Sequence, residues 1–292
     1  MIKVSGVSKS IHKQPILNDV HFTVKPGTIT GLVGRNGAGK TTLLRLISGI
    51  LQPSEGAITV NEKNVFQQPE IKQDIVFVPD STDALKTYSI KEIVKFYQVV
   101  YPNFDQDYYF SLLEQFNFKK HGKIKQFSKG QKALFSLILA FSTNAKYILL
   151  DEPTDGLDVI IKKQILQFIA DQVANKDVSI IISSHRLDEL ERLADHIVVL
   201  KDGAVDSQME MDQLKQQYKK VQVAYQHKFP AEISEHVEVL SQTGRVSVLL
   251  IEADDKGTEA KLREHEPILY EELALTLEDI FVAKLGGDLY VS

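Results

Sequence analysis

Residues 34–41 read Gly-Arg-Asn-Gly-Ala-Gly-Lys-Thr and fit the pattern GxxxxGK[ST] at every fixed position. The pattern lies between a short apolar run, ITGLV, and a helical stretch, TTLLRLISGI. A buried strand, a glycine loop and a helix in that order open an α/β domain. The glycines let backbone N–H groups curl around phosphate oxygens, and the following helix presents its positive N-terminus to the same anion. The candidate phosphate-binding set is Gly34, Arg35, Asn36, Gly37, Ala38, Gly39, Lys40, Thr41 and Thr42. Within it Lys40 is placed to reach β- and γ-phosphates, and the Thr41 hydroxyl to bind Mg²⁺.

The surrounding sequence continues the α/β pattern. DIVFVPD (74–80), KYILLDEP (146–153), VSIIISSH (178–185) and HIVVLKDG (196–203) are short β-branched or apolar runs. Several are continuous rather than alternating, as in parallel strands covered on both faces. Helical patterns such as DVIIKKQILQFIADQVA and RLDELERLA separate them. The order predicts a mainly parallel core sheet with right-handed crossovers. Residues 85–142 interrupt this rhythm and read as an inserted helical subdomain, whereas IKVSGV, ILNDVHFTV and AITV in the first sixty residues read as an antiparallel β edge layer. Composition shifts at 203–220. Beyond it KVQVAYQ, a hairpin around Thr243-Gly244, a charged helix and LTLEDIFVAKL predict a small α+β domain. The expected division is therefore 1–210 and 219–292.

Other chemistry-bearing residues gather at strand ends. The strand YILLD ends in Asp151-Glu152, and a buried strand does not end in adjacent carboxylates without a partner for them. Asp151 is placed to reach Mg²⁺, and Glu152 to polarise a water toward a γ-phosphate. His185 ends the strand-like run VSIIISS, where a neutral imidazole would hold a phosphate and the attacking water. Phe127-Ser128-Lys129-Gly130-Gln131 opens an apolar helix, and read alone Ser128 is its N-cap.

In order along the chain, the phosphate loop, FSKGQ, LLDEP, Thr154-Asp155-Gly156-Leu157-Asp158 and SSH resemble the ATP-binding subunit of an ABC transporter over about residues 1–210. The resemblance implies ATP and Mg²⁺ as ligands and head-to-tail pairing of two such subunits. Ser128, Gly130 and Gln131 would act across the interface, with Asp158 close by. It also implies hydrolysis driving a separately encoded membrane-spanning permease between two access states. Three positions depart from the commonest pattern of that family. Ile11 stands where an aromatic ring usually stacks on adenine, which weakens stacking. Asp80 replaces the usual Gln of the coupling loop and would still contact Mg²⁺ or its water. Lys129 replaces the first glycine of the signature, as in some exporter subfamilies. The ending Thr276-Leu277-Glu278-Asp279-Ile280-Phe281 is similar to that of drug- and antibiotic-exporter ATPases, which tilts the reading to export. Leu277, Ile280, Phe281 and Leu285 share one apolar face, with Glu278, Asp279 and Lys284 largely off it. In so small a domain part of that face is expected to be left for another partner, the subunit dimer being the nearest.

Composition excludes some alternatives. The chain of 292 residues carries a net charge of −5, so binding to nucleic acid through a bulk basic field is not expected. Cysteine is absent, which removes disulfides, thiolate metal sites and Cys nucleophiles. The N-terminus lacks a signal-peptide apolar core, and no run reaches the ~18 apolar residues of a membrane span. A soluble cytoplasmic protein that reaches the inner face of the membrane through its partner is expected. Two other classes stay open: a soluble ABC-type ATPase acting on nucleic acid or ribosomes, and a P-loop GTPase or kinase. Against the last, Asn175-Lys176-Asp177-Val178 lacks the fourth-position Asp of a guanine-reading NKxD.

Overall fold

The computed structural model describes residues 1–81, 85–226, 229–230, 233 and 237–285; the side chains of residues 284 and 285 lie outside that description. The chain divides into two compact units. One holds Met1–His185 and Leu193–Gln208; the other holds Arg186–Arg192 and the chain from Met209 on.

The first unit begins with β1 (Ile2–Ile11) and β2 (Gln14–Val24), an antiparallel hairpin whose closing pair is Ile11↔Gln14. Then follow β3 (Ile29–Val33), α1 (Lys40–Ile47), β4 (Glu55–Val60), β5 (Lys63–Asn64) and β6 (Ile75–Val78). Helices α2 (Ile90–Val100), α3 (Gln106–Gln115) and α4 (Lys129–Ser142) make up the expected helical insertion between β6 and β7 (Tyr147–Asp151). Next come α5 (Val159–Asn175), β8 (Ser179–Ser184), β9 (His196–Lys201) and β10 (Ala204–Glu210), with α6 (Leu187–Leu190), which belongs to the second unit, between β8 and β9 in sequence.

Two sheets result. The small antiparallel one runs β2-β1-β4-β5, and the larger runs β10-β9-β3-β8-β7-β6. In the larger sheet β3 is parallel to both β8 and β9, β7 to β8, and β6 to β7. Every residue of β3, β7 and β8 is buried, which is why these runs do not alternate. Between the sheets lies α1. Its Leu43, Leu44, Leu46 and Ile47 share one core with Ile2, Val4 and Ile58 of the small sheet and with Leu149 and Ile181 of the large one. That packing seats the start of α1, and so the glycine loop before it, against the carboxyl ends of the parallel strands.

The second unit adds α7 (Met211–Gln217), β11 (Tyr218–Ala224), β12 (Glu238–Thr243), β13 (Val246–Glu252), α8 (Lys256–Glu264), β14 (Leu269–Leu273) and α9 (Leu277–Leu285). Its antiparallel sheet runs β12-β13-β11-β14, and the expected hairpin is present with its turn at Gly244-Arg245, one residue beyond Thr243-Gly244. It also claims residues 186–192, which the sequence division left with the first 210. Glu191 shows why: its carboxylate pairs with Lys215 at 2.9 Å and accepts the Leu277 N–H at 3.1 Å.

The ending TLEDIF has a local structural duty. Thr276 and Asp279 form a reciprocal cap on α9: Asp279 accepts the Thr276 N–H at 2.8 Å, and the Thr276 hydroxyl accepts the Asp279 N–H at 3.2 Å. Leu277, Ile280 and Phe281 are all buried within the chain. At these three positions the apolar face is covered within the chain, where α9 meets α6, β12 and β13; the expectation that part of the face is left for a partner is not tested by them. The Leu285 and Lys284 side chains belong to the positions not described.

Asp279 also pairs with Lys220, both carboxylate oxygens lying 2.9 Å from Nζ. Burial pushes its carboxyl up, but the bonds from Lys220 and Thr276 outweigh that and hold it below the ordinary aspartate value. A lowered folded-state value contributes stability above the unfolded value, and that stability is lost as pH falls through the folded one. Denaturant melts followed by far-UV circular dichroism should therefore show the second unit weakening below about pH 4. D279N should cost it about 1–2 kcal/mol at pH 7 and flatten that acid dependence. An unchanged pH profile in D279N would show that other groups govern the acid transition.

Candidate functional site

The glycine loop leaves β3 at Gly34 and enters α1 at Lys40. Gly39, the residue before the helix, has φ +104°, and a Cβ there would stand 2.7 Å from Leu17 Cδ2. At Gly34 a Cβ would stand 2.5 Å from the Leu200 carbonyl oxygen. Two of the three glycines are thus required by close approach, which draws the loop tight over the strand ends. Lys40 is 6% exposed. Its ammonium donates to the Gly34 carbonyl at 2.6 Å and the Arg35 carbonyl at 3.3 Å, and pairs with Glu152 Oε1 at 3.3 Å. A buried ammonium requires such partners.

Asp151, the last residue of β7, is 1% exposed. Its Oδ1 accepts the hydroxyls of Thr41 at 3.1 Å and Ser183 at 2.7 Å. Its Oδ2 is buried with no hydrogen-bond partner among the described residues. A buried carboxylate oxygen left over beside a threonine hydroxyl fits a hard divalent cation such as Mg²⁺, which takes one or two protein oxygens together with substrate phosphates. Glu152 leaves the strand at φ +47°, in the left-handed region. That turn sends its side chain to His185, whose Nδ1 lies 2.8 Å from Oε2. Lys40, Glu152 and His185 thus form one chain of charge-assisted contacts beside the Asp151–Thr41 corner.

Lys40, Thr41, Glu152 and His185 line a cleft of about 480 Å³, within the range of small-molecule sites. The loop residues Arg35, Asn36, Gly37, Gly39 and Thr42 border it, as does the exposed Asp80. The hydrogen bonds of Asp151 run to Thr41 and Ser183, not to Asp80.

Gly34, Ala38 and the buried Asp151 lie behind the lining of this cleft, and five further residues named from the sequence, Ile11, Ser128, Gly130, Gln131 and Asp158, do not border it. Ile11 ends β1 at the hairpin tip and is exposed; the aliphatic side chain lining the cleft is Ile16. Ser128 caps α4, exchanging bonds with Gln131: the Gln131 N–H donates to Ser128 Oγ at 3.2 Å and the Ser128 N–H to Gln131 Oε1 at 3.0 Å. Gly130 is buried where a Cβ would meet Ile161 Cγ2 at 2.8 Å. Asp158 caps α5, accepting the N–H groups of Ile160 and Ile161. Ser183 and Ile16 were not singled out from the sequence. A hydroxyl at the end of an otherwise aliphatic strand was the available signal for Ser183; Ile16 gave none.

A parallel sheet, a glycine loop opening a helix at its carboxyl edge and an acid pair beside it define a P-loop nucleoside triphosphatase. A family profile described as ABC transporter matches residues 17–155. The ABC transporter ATP-binding protein YtrB of Bacillus subtilis is 37% identical over 98% of this chain and 99% of its own. The bacitracin transport ATP-binding protein BcrA of Bacillus licheniformis is 26% identical over 98% of each. A solved ATP-binding subunit of an ABC transporter superposes with TM-score 0.67 at 28% identity, over 74% of this chain and 92% of that one. The chain belongs to the ABC transporter ATP-binding family. It is a transporter's ATP-binding subunit and an ABC-type ATP hydrolase. The GTPase and kinase alternatives fall away with that.

The placement of Ile16 yields a test. I16A removes apolar surface from the wall of the cleft and should weaken ATP and GTP binding alike, by about 1 kcal/mol. I11A should leave both within twofold. Calorimetry showing the reverse ranking would return the base contact to Ile11.

Proposed function

We propose that this chain is the ATP-hydrolysing subunit of an exporter, working with a separate membrane-spanning permease. The observation that carries the hydrolytic part is the contact set Thr41–Asp151 and Lys40–Glu152–His185 at one sheet edge. Export is supported by full-length similarity to a bacitracin transport ATP-binding protein and by the ending TLEDIF. Among the described residues no helix is long and apolar enough to cross a membrane. The transport path is therefore assigned to the partner, and this subunit to the inner face of the membrane. Action on nucleic acid or ribosomes is not favoured, since the curated relatives are named as transporter subunits.

In this reading the loop N–H groups and Lys40 hold the β- and γ-phosphates, and Lys40 exchanges Glu152 for the phosphate. Asp151 and Thr41 hold Mg²⁺, which when bound neutralises phosphate charge. Glu152 accepts a proton from water as the water oxygen bonds to the γ-phosphorus and the bond to the ADP oxygen breaks. His185 holds Glu152 in line. Ser128, Gly130 and Gln131 serve the γ-phosphate of a second subunit, with Asp158 alongside. Their exposed neighbourhood supports that role: Val159 and Ile160, directly after Asp158, are 80% and 79% exposed, as suits a face that a second subunit covers.

E152Q tests the base. ATP binding should persist, turnover should fall at least about 100-fold, and a dimer should accumulate in ATP and Mg²⁺ on sizing with light scattering. Hydrolysis at the parental rate would falsify the assignment.

A further inference from the structure

Between the two acids stands a side chain to which that reading gives no part. Ser183 is the fifth residue of β8 and fully buried. In the parallel register it lies opposite Asp151. Its three preceding neighbours are isoleucines, so packing alone would be served by another aliphatic residue there. Its hydroxyl proton goes to Asp151 Oδ1 at 2.7 Å, and its oxygen accepts the Glu152 N–H at 3.0 Å. The Ser183 carbonyl accepts the same N–H at 3.2 Å.

We propose that Ser183 is a positioning residue that sets both carboxylates of the site through this one hydroxyl. Toward Asp151 it saturates Oδ1 together with Thr41, and so fixes the rotation that leaves Oδ2 as the oxygen available to a cation. Toward Glu152 it holds the peptide in the left-handed conformation. A non-glycine residue keeps that conformation only where its surroundings over-determine it. Two acceptors from one residue do so here. The turn directs the Glu152 carboxylate to His185 and Lys40 rather than along the strand axis. A group that orients a metal-binding carboxylate is typically worth 10–100-fold in metal affinity or activity.

The proposal rests on the roles given above to Asp151 and Glu152, and its test uses the full chain with a readout that needs no turnover. Mn²⁺ binding to the ADP complex is measured by electron paramagnetic resonance, ADP affinity in EDTA by calorimetry, and kcat by phosphate release. S183A removes atoms and needs no extra room. It should weaken Mn²⁺ binding about tenfold and lower kcat by about tenfold or more, with ADP affinity in EDTA within twofold of the parent. S183T, which keeps the hydroxyl, should recover both losses. The proposal is overturned if S183A binds Mn²⁺ and turns over like the parent. It is also overturned if its ADP affinity in EDTA falls in the same proportion as its Mn²⁺ affinity, since that is the mark of a general packing defect. Failure of the E152Q prediction would remove the base assignment but leave the Mn²⁺ result standing.

Discussion

The parallel pairing of β8 with β3 on one side and β7 on the other is the constraint on which the rest depends. The register sets Val33 against Ser184 and Asp151 against Ser183, so three strands end together at one edge. Along the way the facing side chains Leu149, Leu150, Ile180, Ile181 and Ile182 are buried aliphatic residues. A slip of one residue would turn every side chain of β8 to the opposite face. It would also carry Ser183 away from Asp151. Burial of aliphatic surface, at about 25 cal/mol per Å², therefore specifies the polar geometry at the strand ends. The site inherits its precision from the core.

The same edge holds charges that water would otherwise stabilise. Lys40 sits among two loop carbonyls and Glu152, and the carboxylate in turn meets His185. Each buried charge is balanced by a group that can be given up. In the proposed mechanism a phosphate entering the loop would supply Lys40 with a stronger partner and release Glu152 from it. Asp151 differs, because its spare oxygen has no side chain to release. One acid is thus arranged to exchange partners and the other to gain one, and that matches the division of a base from a metal-binding carboxylate.

Features written in local sequence were legible. The glycine loop, the continuous apolar strands, the helical insertion and the Thr243-Gly244 hairpin each follow from short-range patterns of glycine and hydrophobic residues. Contacts between strands distant in sequence were not. Ser183 and Asp151 meet only because β7 and β8 pair in one register, and a lone serine carries no mark of that. Ile16 lines the cleft because β2 returns from the hairpin beneath the glycine loop, so a position aligned on the tip, Ile11, missed it. The apolar face of α9 was visible as a pattern. What covers it was not, because α6 lies 86 positions away at the Glu191–Leu277 bond.

That bond changes how the second unit should be regarded. Residues 186–192 begin one peptide bond after His185 and contribute the buried Leu187 and Leu190 to the second unit. A segment of seven residues cannot bury such side chains by itself, and α9 and α7 supply what it lacks: the Leu277 N–H and the Lys215 ammonium both go to Glu191. Cutting the chain after about residue 218 would keep Lys215 but remove α9, leaving apolar surface and an unpaired carboxylate oxygen a few residues along the chain from the histidine that holds Glu152. The second unit is therefore built from residues 186–192 as well as from the C-terminal part of the chain. A fall in activity of a truncated chain would therefore report the loss of these contacts within the second unit together with any failure to engage a partner. A role for the unit in assembly is better approached through its exposed surface, with α9 and its cap left in place.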